Sequence, residues 1–203
     1  MIKLALVIEG LEDTDKLIGL SDEQINRAAA RAINYASDRA RTSGAKEIRK
    51  QVSFPAAYLT PSQGRLSVAR KASEQSLEGV ITARHRATSL ARFVVNGTPG
   101  KTGVQVQVKP GKTEQLARAF LIRLRSGNAD IDTASNLGLA VRTNRGEKPS
   151  KAYRPVQIAE NLFLVYGPSV SQVFKTVRED IEPAAQADLA DEFFRQIELE
   201  RRK

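Results

Sequence analysis

The sequence contains no cysteine and no tryptophan, only one histidine, and aromatic residues make up just 5% of it. The absence of cysteine excludes disulfides, thiolate metal sites and a cysteine nucleophile. No apolar run approaches the roughly 20 residues of a membrane span, and the apolar N-terminal stretch is too short for a secretory signal. We therefore expect a soluble protein, made in the cytoplasm, with no membrane partner.

What the sequence does contain is enough apolar material for one ordinary globular core. Of the 203 residues, 41% are hydrophobic, mainly Ala, Val, Ile and Leu. We predict one domain over residues 1–203, with 183–203 as a candidate C-terminal helical extension.

The net charge of +9 is unevenly distributed along the chain. Residues 1–30 carry a net charge of −3, 31–125 carry +13, 126–177 carry +2, and 178–203 carry −3. A basic middle between acidic ends suggests either a polyanion partner or head-to-tail packing between copies, and both alternatives stay open.

The N-terminal part predicts a short strand and then a long helix. Residues 2–8 are apolar except for Lys3, and residues 11–20 suggest a short helical turn. Ser21 and Gln24 form a capping box, after which apolar residues recur at helical spacing to about Arg41 or beyond. Arg41 is placed on the polar face, and Gly44 is expected to break or kink the helix.

The middle of the chain favours antiparallel strands separated by turns. Residues 66–69, 77–83, 90–95, 104–108, 120–124 and 139–141 have strand-type patterns, whereas 52–63, 96–100, 126–138 and 144–155 are loop-like. Ser169 and Gln172 then begin a second helix, which Pro183 is expected to interrupt or restart. The order predicts an α+β fold: a long N-terminal helix, a central antiparallel sheet and C-terminal helices.

The candidate catalytic and metal-binding residues have structural explanations. His85 is the only histidine and lies between two arginines, so we interpret it as a surface or strand residue. The stretch 97–102 lacks the full phosphate-loop spacing and is interpreted as a turn. The acidic pairs Glu179-Asp180 and Asp191-Glu192 point about 100° apart on a helix, so we assign them to solvated faces. We predict no enzyme activity, no cofactor and no metal.

One basic cluster remains as a candidate interface. Six cations, which could line one side of a sheet, form a patch that faces either DNA or a neighbouring subunit: Arg65, Arg70, Lys71, Arg84, Arg86 and Arg92. Phosphate contacts need positive charge but no base-reading motif. Sequence-specific recognition is not expected, because no helix-turn-helix, zinc-finger or RNA-recognition signature accompanies the patch.

Several stretches resemble the phage minor tail protein Z family and the wider tail-completion group. They are the Ala-rich residues 29–34 with the basic residues 46–50, the stretches 118–127 and 138–143, and residues 167–174 ahead of Pro183. The resemblance spans most of the chain in order. Residues 128–137 depart from the family as an inserted-looking stretch.

The resemblance implies a structural virion protein of the tail or neck, assembled in the host cytoplasm. Such a protein completes the head-proximal end of the tail and supports head–tail joining. The implied partners are further copies in a ring, expected to be hexameric, together with tail terminator, tail tube and head–tail connector proteins. Nonspecific contact of the basic patch with phage DNA stays an open alternative. A closed ring uses heterologous interfaces, which acidic ends and a basic middle would suit.

Two other functions compete with this one. A nonspecific nucleic-acid-binding protein would use the same basic residues for phosphate contacts. An enzyme such as a nuclease or peptidase would need converging carboxylates or a nucleophile, and the sequence gives no sign of either.

Overall fold

A computed structural model describes residues 2–7, 19–97, 103–124 and 137–202, although the side chains of Ile2, Lys3 and Val7 are left out. The fold is α+β, as predicted, with a long helix near the N-terminus, several antiparallel sheets and a C-terminal helix.

The helices are α1 (Asp22–Gln51) and α2 (Val170–Arg201). The strands are β1 (Ile2–Val7), β2 (Leu66–Arg70), β3 (Glu78–Ala83), β4 (Ala87–Ser89), β5 (Val94–Asn96), β6 (Val104–Lys109), β7 (Lys112–Leu116), β8 (Ala119–Arg123), β9 (Leu137–Arg142), β10 (Val156–Ala159), β11 (Leu162–Leu164) and β12 (Tyr166–Ser169). Short 3-10 helices span Ala56–Leu59, Pro61–Gln63, Leu90–Phe93 and Lys151–Tyr153.

The chain divides into two compact units. We call the first the helical unit; it comprises Met1–Ile48, Ala57–His85 and Phe174–Lys203. The second, the sheet unit, comprises Arg49–Ala56 and Arg86–Val173. The predicted single domain with a C-terminal extension stays a prediction, although residues 183–201 belong to α2.

The capping box that begins α1 is confirmed. The Ser21 amide donates to Gln24 Oε1 (2.9 Å), and the Gln24 amide donates to Ser21 Oγ (3.3 Å), so two amides of the first turn are satisfied. The predicted apolar face is buried at Ala28, Ala29, Ala32, Ile33, Ala36 and Ala40.

Small residues let α1 approach the sheet of the helical unit, whose strand order is β1-β3-β2. A Cβ added to Gly79, in β3, would lie 2.4 Å from Ser37 Oγ and 2.7 Å from Ile33 Cγ2, so only glycine fits there. Asn34 extends the contact: its side chain donates to the Ala72 carbonyl (3.0 Å) and accepts from the Ala72 amide (2.8 Å). Helix and sheet are thus joined both by close packing and by hydrogen bonds.

The C-terminal part of α2 runs antiparallel to α1 within the helical unit. Gly44 of α1 contacts the side chains of Phe174 and Ile181, whereas Arg31, a good three turns earlier, binds Glu200 (2.8 Å). The predicted break at Gly44 was therefore wrong: the helix continues to Gln51, and the glycine provides room for the Phe174 ring.

The prediction that Arg41 lies on the exposed face was also wrong. Its side chain is buried, and its Nε donates to the Leu66 carbonyl in β2 (3.0 Å). Burial lowers the pKa of Arg41, and nearby Asp38 opposes that shift. Arg41 thus tethers α1 to the sheet.

Pro183 does not interrupt α2, contrary to the prediction. A proline inside a helix leaves the carbonyl four residues earlier without its amide partner. Pro183 and Glu179 are exposed, so water can satisfy that carbonyl, while Ile181 and Ala185 stay buried. The carbonyl that loses its amide partner therefore lies on the solvent side of the helix.

The described part of the sheet unit forms three antiparallel sheets, ordered β10-β11-β9-β8, β5-β6-β7 and β12-β4. The predicted strands at 104–108, 120–124 and 139–141 are confirmed as β6, β8 and β9. Residues 90–93, predicted as strand, form a 3-10 helix instead, capped by Ser89 Oγ, which accepts from the Ala91 amide. Ser169 and Gln172 begin α2 with a second capping box.

Some predictions lie on residues outside the described ranges. These are the helical turn over 11–18, most of the turn at 96–100, and all but the end of the loop at 126–138. The loop predicted for 144–155 is confirmed apart from the 3-10 turn at Lys151–Tyr153.

We expect Gly79→Ala to destabilise the helical unit by about 1–3 kcal/mol, because the added methyl group overlaps Ser37 Oγ and Ile33 Cγ2. Urea unfolding, followed by the circular dichroism of the helices, measures the effect. Adding Ser37→Ala should restore part of the loss, since it removes the nearest atom. An unchanged midpoint in Gly79→Ala would show that helix and strand are not tightly packed there.

Candidate functional site: an unbalanced basic surface

In the helical unit, positive charge is balanced by acids of the same unit. Its residues carry a net charge of −1. Eight of its described cations form ion pairs: Arg27 with Glu23 and Glu74, Arg31 with Glu200, Arg39 with Asp188, Arg70 with Glu78, Lys71 with Asp38, Arg178 with Glu179, Arg195 with Glu192, and Arg201 with Glu198. The unit as a whole therefore has no excess of positive charge.

The sheet unit holds the whole charge excess of the protein. It carries 15 Lys and Arg residues against five Asp and Glu residues, a net charge of +10. Eight exposed cations of this unit have no ion-pair partner among the described residues: Arg49, Lys109, Arg123, Arg142, Arg145, Lys148, Lys151 and Arg154. Such a concentration of like charge produces self-repulsion unless an anion binds.

Five of these eight cations recur at every third residue of one surface segment. We call them the basic series: Arg142, Arg145, Lys148, Lys151 and Arg154. The segment begins at the end of β9 and passes through a turn and a 3-10 helix. Its one acid, Glu147, is engaged elsewhere: it accepts from Arg118 (3.2 Å) and from the Asn144 amide (3.1 Å). The basic series is thus not neutralised locally.

A cleft lies at each end of the basic series. The first, of about 330 Å³, is lined by Ala117, Arg118, Phe120, Arg142, Thr143 and Asn144. The second, of about 370 Å³, is lined by Leu90, Val108, Lys109, Lys112, Glu114, Ser150, Ala152, Tyr153, Tyr166, Gly167 and Pro168. Each cleft combines cations with at least one half-buried aromatic ring.

The hairpin of β6 and β7 builds one wall of the second cleft. Lys109 and Lys112 are direct cross-strand partners, an arrangement in which like charges repel. Glu114 relieves part of this repulsion, with its Oε1 3.5 Å from Lys112 Nζ. The other carboxylate oxygen accepts from the Tyr153 hydroxyl (3.1 Å), which ties the hairpin to the basic segment.

The same contact changes the acidity of Tyr153. Burial raises the pKa of its phenol, and the hydrogen bond to Glu114 and the negative charge of that carboxylate raise it further. The neutral phenol is therefore retained at any ordinary pH, so that Tyr153 can donate a hydrogen bond but carries no negative charge into the cleft.

The six residues predicted as a basic patch lie in different environments. Arg65 is buried, with its guanidinium 4.1 Å from the centre of the Tyr58 ring, and bonds to Gln63 Oε1 (2.8 Å). Arg70 and Lys71 are exposed, but each pairs with an acid. Arg84 belongs to the helical unit, Arg86 and Arg92 belong to the sheet unit, and each interacts within the chain. Their assignment to DNA or to a neighbouring subunit stays a prediction.

The other candidate residues take structural positions. His85 is exposed, as predicted. Of the acidic pairs, Glu179, Asp180 and Asp191 are exposed, whereas the prediction for Glu192 was wrong. Glu192 is buried, and its hydrogen bonds to Arg195 outweigh its burial and lower its pKa. Its neighbours Leu189 and Phe193 belong to the buried stripe of α2, which extends to Glu192.

The basic series was not among the residues predicted as a candidate site. Residues 144–155 were predicted only as a loop, without their three-residue spacing of cations or the lack of available acids. The spacing is visible in the sequence, whereas the engagement of Glu147 by Arg118 requires the fold.

The described residues contain no cluster of three His, Asp or Glu side chains placed to hold a metal ion. Among the described helices, none combines the length and the apolar character needed to cross a bilayer. No family model and no curated protein matches the sequence, and no solved structure matches the fold.

We expect Glu114→Gln to lower the pKa of Tyr153, because the variant removes the negative charge that opposes ionisation. Tyrosinate absorbance in an alkaline titration measures the shift, and a Tyr153→Phe variant identifies the signal among the four tyrosines. Because the folded pKa is raised, the neutral phenol stabilises the wild-type fold below about pH 10, and this contribution is lost as the pH rises further.

Glu160→Gln is the matched control for this titration. Glu160 is exposed in the same unit and has no ion-pair partner among the described residues. An equal shift in both variants would mean that overall charge, rather than the contact with Glu114, sets the acidity of Tyr153.

Proposed function

We propose that this chain is a structural virion protein of a tailed phage, which completes the head-proximal end of the tail and supports head–tail joining. The resemblance to minor tail protein Z implies this role, and the α+β order of elements is compatible with it. In this role the chain is not an enzyme. Its partners are further copies in a ring, expected to be hexameric, and the tail terminator, tail tube and connector proteins.

The observation that carries an assembly role is the exposed edge strand β10. It lies at one edge of the four-stranded sheet, and all four of its residues are exposed. Val156 is 51% exposed and Ile158 is 44% exposed, and no charged residue interrupts the strand. Monomeric proteins usually protect such edges with charges, prolines or bulges, because an open edge pairs with other chains.

β10 carries only part of that protection. Pro155 precedes the strand, and the pairing with β11 shifts register between Gln157 and Ala159. These features limit indiscriminate pairing but leave the apolar residues exposed. We infer that β10 contacts a neighbouring copy in the ring, where burial of Val156 and Ile158 would stabilise the interface.

Deleting the gene from its phage tests the proposed role. We expect negative-stain microscopy of lysates to show separate filled heads and tails, or joined particles that are not infectious. Normal infectious virions would remove the tail-completion role.

Replacing the exposed apolar residues of β10 tests the assembly surface. Val156→Lys combined with Ile158→Lys should shift the purified protein toward monomer, since both changes place charge on the edge where a copy would pair. Size-exclusion chromatography with light scattering measures the mass. Leu199→Lys is the control, because Leu199 is an exposed apolar residue on α2 (38% exposed). A double variant that assembles as the wild type does would argue against β10.

A further inference from the structure

We propose that the sheet unit binds the phosphate backbone of a nucleic acid along the basic series, Arg142, Arg145, Lys148, Lys151 and Arg154. This inference assigns a ligand to residues outside the patch predicted from the sequence. It does not depend on the tail-completion role.

The segment 142–154 keeps an excess of positive charge even where its acid is paired. Five exposed cations occupy 13 consecutive residues, and Glu147, the one acid among them, is held by Arg118 and the Asn144 amide. A solvated surface usually mixes both signs, as the helical unit does. A bound polyanion would remove the repulsion and release its own counterions, which favours association at low salt.

The spacing of the cations suits a chain of phosphates. Consecutive members are three residues apart, so their Cα atoms lie at most about 10 Å from one another. A nucleic acid presents a phosphate charge every few ångströms and can meet such a series without strict register. The segment is irregular, and loops of this kind commonly carry binding residues on a rigid scaffold.

Two clefts adjoin the segment that carries the basic series, and each is lined by cations and an aromatic ring. Arg142 and Phe120 line the first cleft, whereas Tyr153 lines the second together with the two lysines of the β6–β7 hairpin. Stacking of bases on aromatic rings next to cations is the usual way in which proteins hold single-stranded nucleic acids without reading their sequence.

Fluorescence anisotropy with a labelled strand of about 30 nucleotides, used single-stranded and as a duplex, tests the proposal on the full chain. The variant is Arg145→Gln, Lys148→Gln and Lys151→Gln combined, three exposed loop residues without ion pairs among the described residues. Because the variant can no longer neutralise three of the phosphates, we expect the Kd to rise at least about 30-fold at moderate salt. The negative slope of log association constant against log salt concentration should become shallower by about 2 to 3.

The matched control is Arg202→Gln, Lys46→Gln and Lys175→Gln combined. These residues are also one arginine and two lysines, exposed and without ion pairs among the described residues, but they belong to the helical unit. We expect the control to change the Kd less than about threefold, through net charge alone. Equal weakening in both variants, or a Kd that neither variant changes, would overturn the proposal.

A competition assay separates a nucleic acid from polyanions in general. Polyglutamate at equal charge concentration should displace the labelled strand far less well than unlabelled nucleic acid does. Equal displacement would overturn the assignment to a nucleic acid and indicate an acidic protein partner. Neither assay depends on phage assembly. A failure of the nucleic-acid proposal can therefore be distinguished from a failure of the tail-completion role.

Discussion

The close approach of α1 to its neighbours is the constraint on which the helical unit depends. The buried face of α1 consists largely of alanine, and glycines complete the contact on both sides, Gly79 in β3 and Gly44 facing Phe174. Small side chains bury little apolar area each, so the stability of such an interface depends on dense packing rather than on bulky groups. A short distance between backbones also brings Arg41 within reach of the Leu66 carbonyl. Packing and hydrogen bonding therefore depend on the same few small residues.

The sequence predicted the elements whose local signals agree with their environment. In these elements the local propensity and the buried face are visible in the same residues. Examples are the capping box at Ser21, the alanine periodicity of α1, and the alternation at Val104 and Val106. Predictions from Arg41, Gly44 and Pro183 were wrong for one reason: each residue type has a usual role that its tertiary position overrides. Neighbouring residues in the sequence do not reveal these positions. Arg41 has a buried carbonyl partner, Gly44 faces an aromatic ring, and Pro183 lies on the solvent-exposed side of its helix.

The short strands were harder to predict. β10, β11 and β12 have three or four residues each, so a period of two is hardly visible in them. β12 also contains Pro168, a residue that usually argues against a strand. β11 and β12 pair with β9 and β4, which lie earlier in the chain, and β10 is placed only by its pairing with β11.

The candidate site shows why clustering of charge along a chain is a weak guide to a binding surface. Arg65, Arg70 and Lys71 are close in sequence, but one is buried against Tyr58 and the other two face Glu78 and Asp38. An anion is attracted by the charge that remains after such pairs form, and this charge can be determined only when the fold is known. In this protein the excess positive charge lies in the sheet unit. That unit has five acids, and two of them, Glu114 and Glu147, are already engaged.

The two proposed surfaces of the sheet unit are adjacent along the chain. The basic series ends at Arg154, and the exposed strand β10 begins at Val156. Repulsion between the positively charged sheet units of neighbouring copies would oppose their contact through β10, because that contact brings like charges closer together. An anion bound along the basic series would reduce that repulsion, so binding of a nucleic acid and self-association would favour each other. Such coupling is reciprocal by thermodynamic linkage. If the bound anion raises the affinity between copies by some factor, assembly raises the affinity for the anion by the same factor.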